Sequence, residues 1–182
     1  MKSNKTRFAI LGALSMWPMT GYDIRKVLES GIGRFWSESY GQLYPELRRM
    51  SENGVIRKSE EGGRGKPRRI LYSLTSRGRE ELKEWLQAPA VPGTAREELL
   101  LKLFFGSQVD VRVSAGQLQR FREFHEECLR KCRRVEKSLQ AAEKSPDSVY
   151  WIATLKYSEY VSRALIEWCD EAQSLIEPKS KI

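Results

Sequence analysis

One hairpin pattern inside an otherwise helical chain constrains this sequence most. Residues 55–59, VIRKS, and 69–75, RILYSLT, are β-compatible runs that flank EEGGRGKPR, a loop rich in glycine and arginine. Such an arrangement predicts a hairpin with a long tip. In the second run Ile70, Tyr72 and Leu74 alternate with Leu71 and Ser73, the period of a half-buried strand.

Everything before the hairpin reads as helix. Phe8, Ile10, Leu11, Leu14 and Trp17 predict a mostly buried first helix ended by Pro18. Thr20 caps a second helix, TGYDIRKVLESG, with Asp23 at the third helical position as a variant capping box. Its apolar stripe is Tyr22, Ile24, Val27 and Leu28, and Gly31 ends it. After GIGRFW comes SYGQLYPELRRM, where Leu43, Leu47 and Met50 recur at helical spacing. Pro45 lacks a backbone N–H and belongs only in a first turn. Two starts are open: a capping box from Ser39 to Gln42, or an N-cap nearer Gly41 or Gln42. Asn53-Gly54 marks the end. Beyond the hairpin, Thr75 caps SRGREELKEWL, whose apolar face is Leu82, Trp85 and Leu86. Three helices followed by a hairpin is the order of a winged helix-turn-helix, so the expected fold is mainly α with a small β-hairpin.

The charge divides along the same line. Residues 1–87 hold 17 Lys and Arg against 10 Asp and Glu, whereas residues 88–182 hold 15 against 14. A basic half favours a polyanion, either nucleic acid or an anionic membrane. With Leu43, Leu47 and Met50 turned inward, the third helix presents Gly41, Pro45, Arg48 and Glu52 outward, flanked by Arg49 and Gln42 on one side and Tyr44 on the other. Arginine can take guanine bidentately, glutamine can pair with adenine, and tyrosine can donate to phosphate. The hairpin tip adds Arg64, Lys66, Arg68 and Arg69, suited to a phosphate backbone or a narrow minor groove. The expected DNA-binding set is therefore Gln42, Tyr44, Arg48, Arg49, Arg64, Lys66, Arg68 and Arg69. A rival reading is a winged-helix protein–protein module whose basic wing meets an acidic partner.

APAVPGT, residues 88–94, breaks the helical pattern and acts as a linker. The expected domains are 1–87, a linker with connecting helix at 88–113, and a helical domain at 114–182. From Ser114, Leu118, Phe121, His125, Cys128, Cys132, Val135, Leu139 and Ala142 alternate by three and four, as in a bundle seam. Ser145-Pro146-Asp147 interrupts it. A last helix carries Trp151, Leu155, Leu165, Cys169, Ala172 and Ile176 on one seam, with Tyr157, Val161, Ala164, Trp168 and Leu175 adjoining. Two long helices cannot cover so wide a face. Dimerisation can, through Leu118, Phe121, Leu139, Leu155, Leu165 and Trp168, and a two-fold protein suits a pseudo-palindromic duplex. Trp151, Tyr157, Tyr160 and Trp168 are also aromatic candidates for an effector pocket.

Several classes of function fall away. GGRGK lacks the full phosphate-loop pattern and joins no strand to a helix. His125, Cys128 and Cys132 stretch over two turns, too far for three ligands of one zinc ion. A single histidine on a packed seam, with no paired carboxylates, assembles no hydrolytic site. We expect neither enzyme, cofactor nor metal. No leader-like segment and no run of about 18 apolar residues is present, and three cysteines without scaffold spacing fit a reducing compartment. A cytoplasmic protein is expected.

Four blocks, ILGALSMWPMTGYDI, SYGQLYPELRRMSENGVI, GRGKPRRILYSLTSRGREEL and YSEYVSRALIEWCDEA, resemble PadR-type transcriptional regulators over nearly the whole chain. The first three match the winged domain. The last is similar to the C-terminal helical domain of the virulence-activator subgroup. Gly-x-Leu-Tyr-Pro-x-Leu at residues 41–47 and Leu-Thr-x-x-Gly at 74–78 are its most specific motifs. The resemblance implies a homodimer on palindromic promoter DNA, usually a repressor, with Tyr44, Arg48, Lys66 and Arg68 at the DNA. It also implies, for some members, release by a small aromatic or planar molecule bound between the two domains.

Overall fold

Ile10, Leu11, Ala13 and Leu14 found the first core, because a helix from Lys5 to Met16 (α1) turns all four toward its neighbours. The structure is a computed structural model and describes residues 5–31, 40–62, 68–91, 97–141 and 145–177. The chain divides into two compact units, Met1–Pro92 and Gly93–Ile182. In the first, α1 stops two residues short of Pro18, whose ring disfavours helix at the residue before it. Trp17 therefore leaves the helical wheel and is 54% exposed, not buried as its spacing suggested.

Met19 and Thr20 form a two-residue strand (β1), which the sequence pattern did not announce. It leads into α2 (Gly21–Gly31) through the reciprocal cap expected of Thr20 and Asp23. The Asp23 N–H donates to Thr20 Oγ1 at 3.2 Å, and the Thr20 N–H and hydroxyl donate to Asp23 Oδ2 at 3.2 and 2.6 Å. Ile24 and Leu28 are buried, but Tyr22 is 67% exposed. Tyr22 lies only two residues from Ile24, and positions two apart do not share a helix face.

A single 3-10 turn (Tyr40–Gln42) precedes α3 (Leu43–Glu52), with Gln42 as N-cap. Pro45 is thus the third helical residue. Its missing N–H is one of the four that no helix can pair internally, so the proline is tolerated. Leu43, Leu47 and Met50 are all buried. The helix ends in a Schellman turn: Gly54 takes φ 68°, its N–H donates to the Ser51 carbonyl at 3.1 Å, and the Val55 N–H donates to the Met50 carbonyl at 3.1 Å. That turn drops Val55 and Ile56 straight into the core.

Strands β2 (Ile56–Glu61) and β3 (Arg69–Leu74) make the hairpin, and β1 pairs on the other side of β3 to give the order β1-β3-β2, antiparallel throughout. The hairpin is longer than expected, since Glu60 and Glu61 belong to β2 and Glu61 stands opposite Arg69. The expected alternation in β3 is realised at Tyr72 and Leu74 but not at Ile70. Tyr72 and Leu74 pack against the core, whereas Ile70 lies beyond the last β1 pairing, Thr20 with Leu71, and is exposed.

Thr75 caps α4 (Ser76–Gln87) by accepting from the Gly78 N–H at 3.2 Å. Its own N–H donates to the Val55 carbonyl, so the cap also closes the sheet onto α3's exit. Arg77 donates to the Asn53 carbonyl at 3.0 Å, a cation at the C-terminal end of α3. Leu82 is buried and Trp85 stacks on Phe8 with ring centroids 4.6 Å apart. Leu86 faces solvent instead of completing the apolar face.

The second unit holds α5 (Glu98–Phe104), α6 (Val111–Ala141) and α7 (Ser148–Ile176). Contacts rise along α7 as they fall along α6, so the two long helices run antiparallel: Glu136 meets Lys156, His125 meets Ser162, and Arg122 meets Asp170. Leu118, Cys132, Leu155 and Cys169 are buried along the seam, as the spacing predicted. Ser158 and Ser162 are buried too, although their hydroxyls kept them out of the apolar pattern. Leu99, Leu118 and Cys169 form the core of one end, joined by Phe121 and Trp168. His125 packs edge-on against Phe121 and Phe124 with Nδ1 3.3 Å from Ser162 Oγ. Burial pushes its pKa down.

Two predictions follow from packing. A methyl on Gly78 would run into the Val55 carbonyl oxygen and lie 2.9 Å from Leu74 Cδ1. Gly78→Ala is therefore expected to lower unfolding free energy by about 1–3 kcal/mol, read from denaturant titration. His125 is the chain's one histidine. Since its folded pKa lies below the unfolded value near 6.5, the unfolded state binds the extra proton. Its contribution is present above about pH 6.5 and is lost as pH falls toward the folded pKa. His125→Gln should flatten that part of a stability–pH profile.

Candidate nucleic-acid interface

The outer face of α3 is set by the inner one. Because Leu43, Leu47 and Met50 are held in the core, Tyr44, Pro45, Arg48, Arg49 and Glu52 all face solvent, with Gln42 exposed in the preceding turn. Proline and glycine keep the first turn slim on this side, so a duplex can approach closely.

Tyr44 lies over Gly21. A Cβ added to Gly21 would sit 2.8 Å from Tyr44 Cε1 and 3.5 Å from Leu47 Cδ1, so the start of α2 lies against the edge of the Tyr44 ring. Tyr72 of β3 is close as well. Its phenol pKa is raised by burial, with Tyr44 adding to the effect and Arg48 opposing it. Three elements thus converge on Tyr44 and Arg48. Among the described residues Arg48 makes no ion pair, which leaves its guanidinium available to an outside acceptor.

Arg49 is arranged differently. Its Nη1 lies 3.6 Å from Glu46 Oε2, and Glu46 is only 4% exposed. Arg49 is exposed on the flank of α3, where it pairs with this buried carboxylate.

Arg68 is exposed just before β3, whereas Arg69 stands inside β3 and not at the tip. Arg69 also reaches the field of Asp23, whose carboxyl is held below its usual range chiefly by the Thr20 hydroxyl, with smaller contributions from Arg69 and Lys26. Arg64 and Lys66 lie outside the described residues, as does most of the expected tip. Sequence reasoning missed other candidates. Tyr22 projects beside Gly21, and Arg57 and Lys58 are exposed on β2. The signal for Tyr22 was its misfit to the Ile24, Val27 and Leu28 stripe.

The aromatic residues weighed as an effector pocket do not converge. Trp151 is half-buried and, by helical geometry, points away from Tyr157, which is 61% exposed with Tyr160 beside it. Trp168 meets Phe121 edge-to-face at 6.2 Å. Among the described residues an open recess of about 380 Å³ lies between α5 and α6, walled by Phe121 and Phe124 with Glu97, Glu98, Lys102 and Arg120.

Comparison with known proteins bears on both units. The description "Transcriptional regulator PadR-like family" matches residues 10–84, and "Virulence activator alpha C-term" matches residues 95–177. The chain is 36% identical over 102 residues to the negative transcriptional regulator PadR of Bacillus subtilis, covering 54% of this chain and 55% of that protein. The crystal structure of Bacillus subtilis PadR in complex with operator DNA superposes with a TM-score of 0.84 at 25% identity, over 97% of this chain and all of the other. The same protein's structure with p-coumaric acid gives a TM-score of 0.73 at 26% identity, over 94% of this chain and 98% of that one.

The Gly21–Tyr44 contact yields a prediction. Gly21→Ala should push the Tyr44 ring aside and weaken DNA binding by about tenfold, the scale of a lost specific contact. Fluorescence anisotropy reads the loss, and a Tyr44→Ala background should remove it.

Proposed function

This chain belongs to the PadR-like transcriptional regulators, and we propose that it acts as a homodimer whose two α3 helices read the halves of a pseudo-palindromic operator, as a repressor. One observation carries the reading: the outer face of α3 holds Tyr44 against Gly21 and leaves Arg48 exposed, while the opposite face is closed in the core. Arg48 is then the base reader, Tyr44 and Tyr22 are phosphate contacts, and the basic residues of the hairpin, Arg64, Lys66, Arg68 and Arg69, lie along the backbone. Gln42 and Arg49 flank the reading face. The negative regulation named for the Bacillus subtilis relative supports repression.

The homodimer has its own support. In its first half α7 exposes Val149, Tyr150, Tyr157 and Tyr160, with Leu175 near its end, on the side away from the seam with α6. An apolar and aromatic patch of this kind is covered most directly by a second copy. Phe121, Leu139, Leu165 and Trp168 are half-buried in one chain and have surface left to bury, whereas Leu118 and Leu155 are closed within it and back the interface from inside.

An effector is the remaining part of the proposal. The p-coumaric acid complex of a structural neighbour supports a planar aromatic acid as the class to test. The recess between α5 and α6 has aromatic walls, and with Lys102 paired to Glu98 at 2.6 Å and Glu97 nearby, Arg120 is the cation it offers such an acid. The family is one of regulators and not of enzymes. Among the described residues no helix is long and apolar enough to cross a membrane, and we place the protein in the cytoplasm with its DNA.

The test is anisotropy against the duplex upstream of the protein's own gene and a shuffled duplex, each titrated with salt. Tight, sequence-dependent binding with a steep salt slope is expected. Weak, equal binding to both would leave an operator elsewhere in the genome or an acidic protein partner for the wing. Arg48→Ala should lose about 1–3 kcal/mol on the operator and far less on the shuffled duplex. Tyr157→Glu with Leu175→Glu should give monomers in sedimentation and weak operator binding. An intact dimer would overturn the α7 interface.

A further inference from the structure

Glu46 is a charged residue on the recognition helix that does not face the solvent. It lies on α3 between Pro45 and Leu47 and is buried as deeply as the core, although a carboxylate there needs cations around it to be tolerated. Two of them belong to the described residues Arg7 and Arg49. Glu46 Oε1 is 3.5 Å from Arg7 Nη1, and Glu46 Oε2 is 3.6 Å from Arg49 Nη1. Arg7 belongs to α1 and is itself fixed by a bidentate contact with Glu81 of α4, with Nη2 donating to Oε2 at 2.9 Å. A chain of alternating charges therefore runs from α4 through α1 into α3 and out to Arg49 at the surface.

We infer that Glu46 is a positioning residue for DNA recognition: one carboxylate oxygen is anchored by Arg7 and the other aims the Arg49 guanidinium along the flank of α3. This rests on the reading that the outer face of α3 meets DNA. Arg49 is a long side chain that would otherwise sample many rotamers. A buried anchor three residues earlier restricts it to the side where the flank of the helix faces a duplex. Only one side of the guanidinium is taken by the carboxylate. The planar fork has five N–H donors, so others remain for a phosphate or a base edge.

Operator affinity in a double-mutant cycle tests this. The operator is first selected from random duplexes by the wild-type protein. Wild type, Glu46→Gln, Arg49→Ala and the double variant are then compared by anisotropy, with melting curves alongside. Each single variant should weaken operator binding by about fivefold to tenfold, within the range of coupled contacts. Glu46→Gln should add almost nothing once Arg49 is alanine. Glu46→Asp, which keeps the charge facing Arg7 but retracts from Arg49, runs in the same cycle in case the glutamine variant unfolds, and it too should matter only when Arg49 is present.

Equal losses from the Glu46 variants in both backgrounds would make the carboxylate a merely structural group and overturn the inference. So would full operator affinity in Glu46→Gln or in Arg49→Ala. Arg48→Ala separates the two levels. If it loses operator binding while Arg49→Ala does not, only the role of Glu46 fails. If neither loses binding, the reading of α3 itself fails.

Discussion

Arg7 holds the first unit in register. A single guanidinium on α1 reaches Glu81 on α4 and Glu46 on α3, so three helices are tied at one partly buried point. Hydrogen bonding to Arg7 holds the Glu81 carboxyl below its usual range, against the opposing effect of burial. Apolar packing of Ile10, Leu11, Leu47 and Met50 favours burying the same faces but tolerates small rotations. The charge pairs have stricter geometry, and leaving Glu46 unpaired at its depth is strongly unfavourable. Burial of Leu43, Leu47 and Met50 sets which side of α3 faces outward, and this point ties that helix to α1 and α4.

The consequences reach the surface through rigid neighbours. Gly21 lets α2 cross α3 closely enough to seat Tyr44, the Schellman turn at Gly54 sends the chain from α3 into β2, and Thr75 closes the sheet back onto that exit. The last two are backbone-level devices with little freedom. A reading helix held this way can spend less binding energy on its own ordering, which is the advantage of preorganisation.

Much of this was legible in the residues. Alternation by three and four located the inner faces of α3, α6 and α7, and capping chemistry at Thr20, Thr75 and Asn53-Gly54 placed helix ends closely. What escaped the pattern did so for physical reasons. β1 is two residues long and exists only because β3 pairs with it. Glu46, Ser158 and Ser162 are polar yet buried, and no hydrophobic period registers a polar group satisfied by a partner distant in sequence. Trp17, Tyr22 and Leu86 erred in the other direction. They are apolar or aromatic residues that helix ends or off-face positions leave in solvent. Arg69 moved from tip to strand because cross-strand pairing with Glu61 extends the hairpin beyond its β-rich residues.

The account stands on α3 meeting DNA with its outer face. Site-specific photocrosslinking tests that most directly, with benzoylphenylalanine placed at position 48 and, separately, at exposed position 86 on α4. Crosslinks to operator DNA from position 48, suppressed by excess unlabelled operator and absent from position 86, are the predicted result. Crosslinks from position 86 with none from position 48 would contradict the central claim and put another surface of the protein on the duplex.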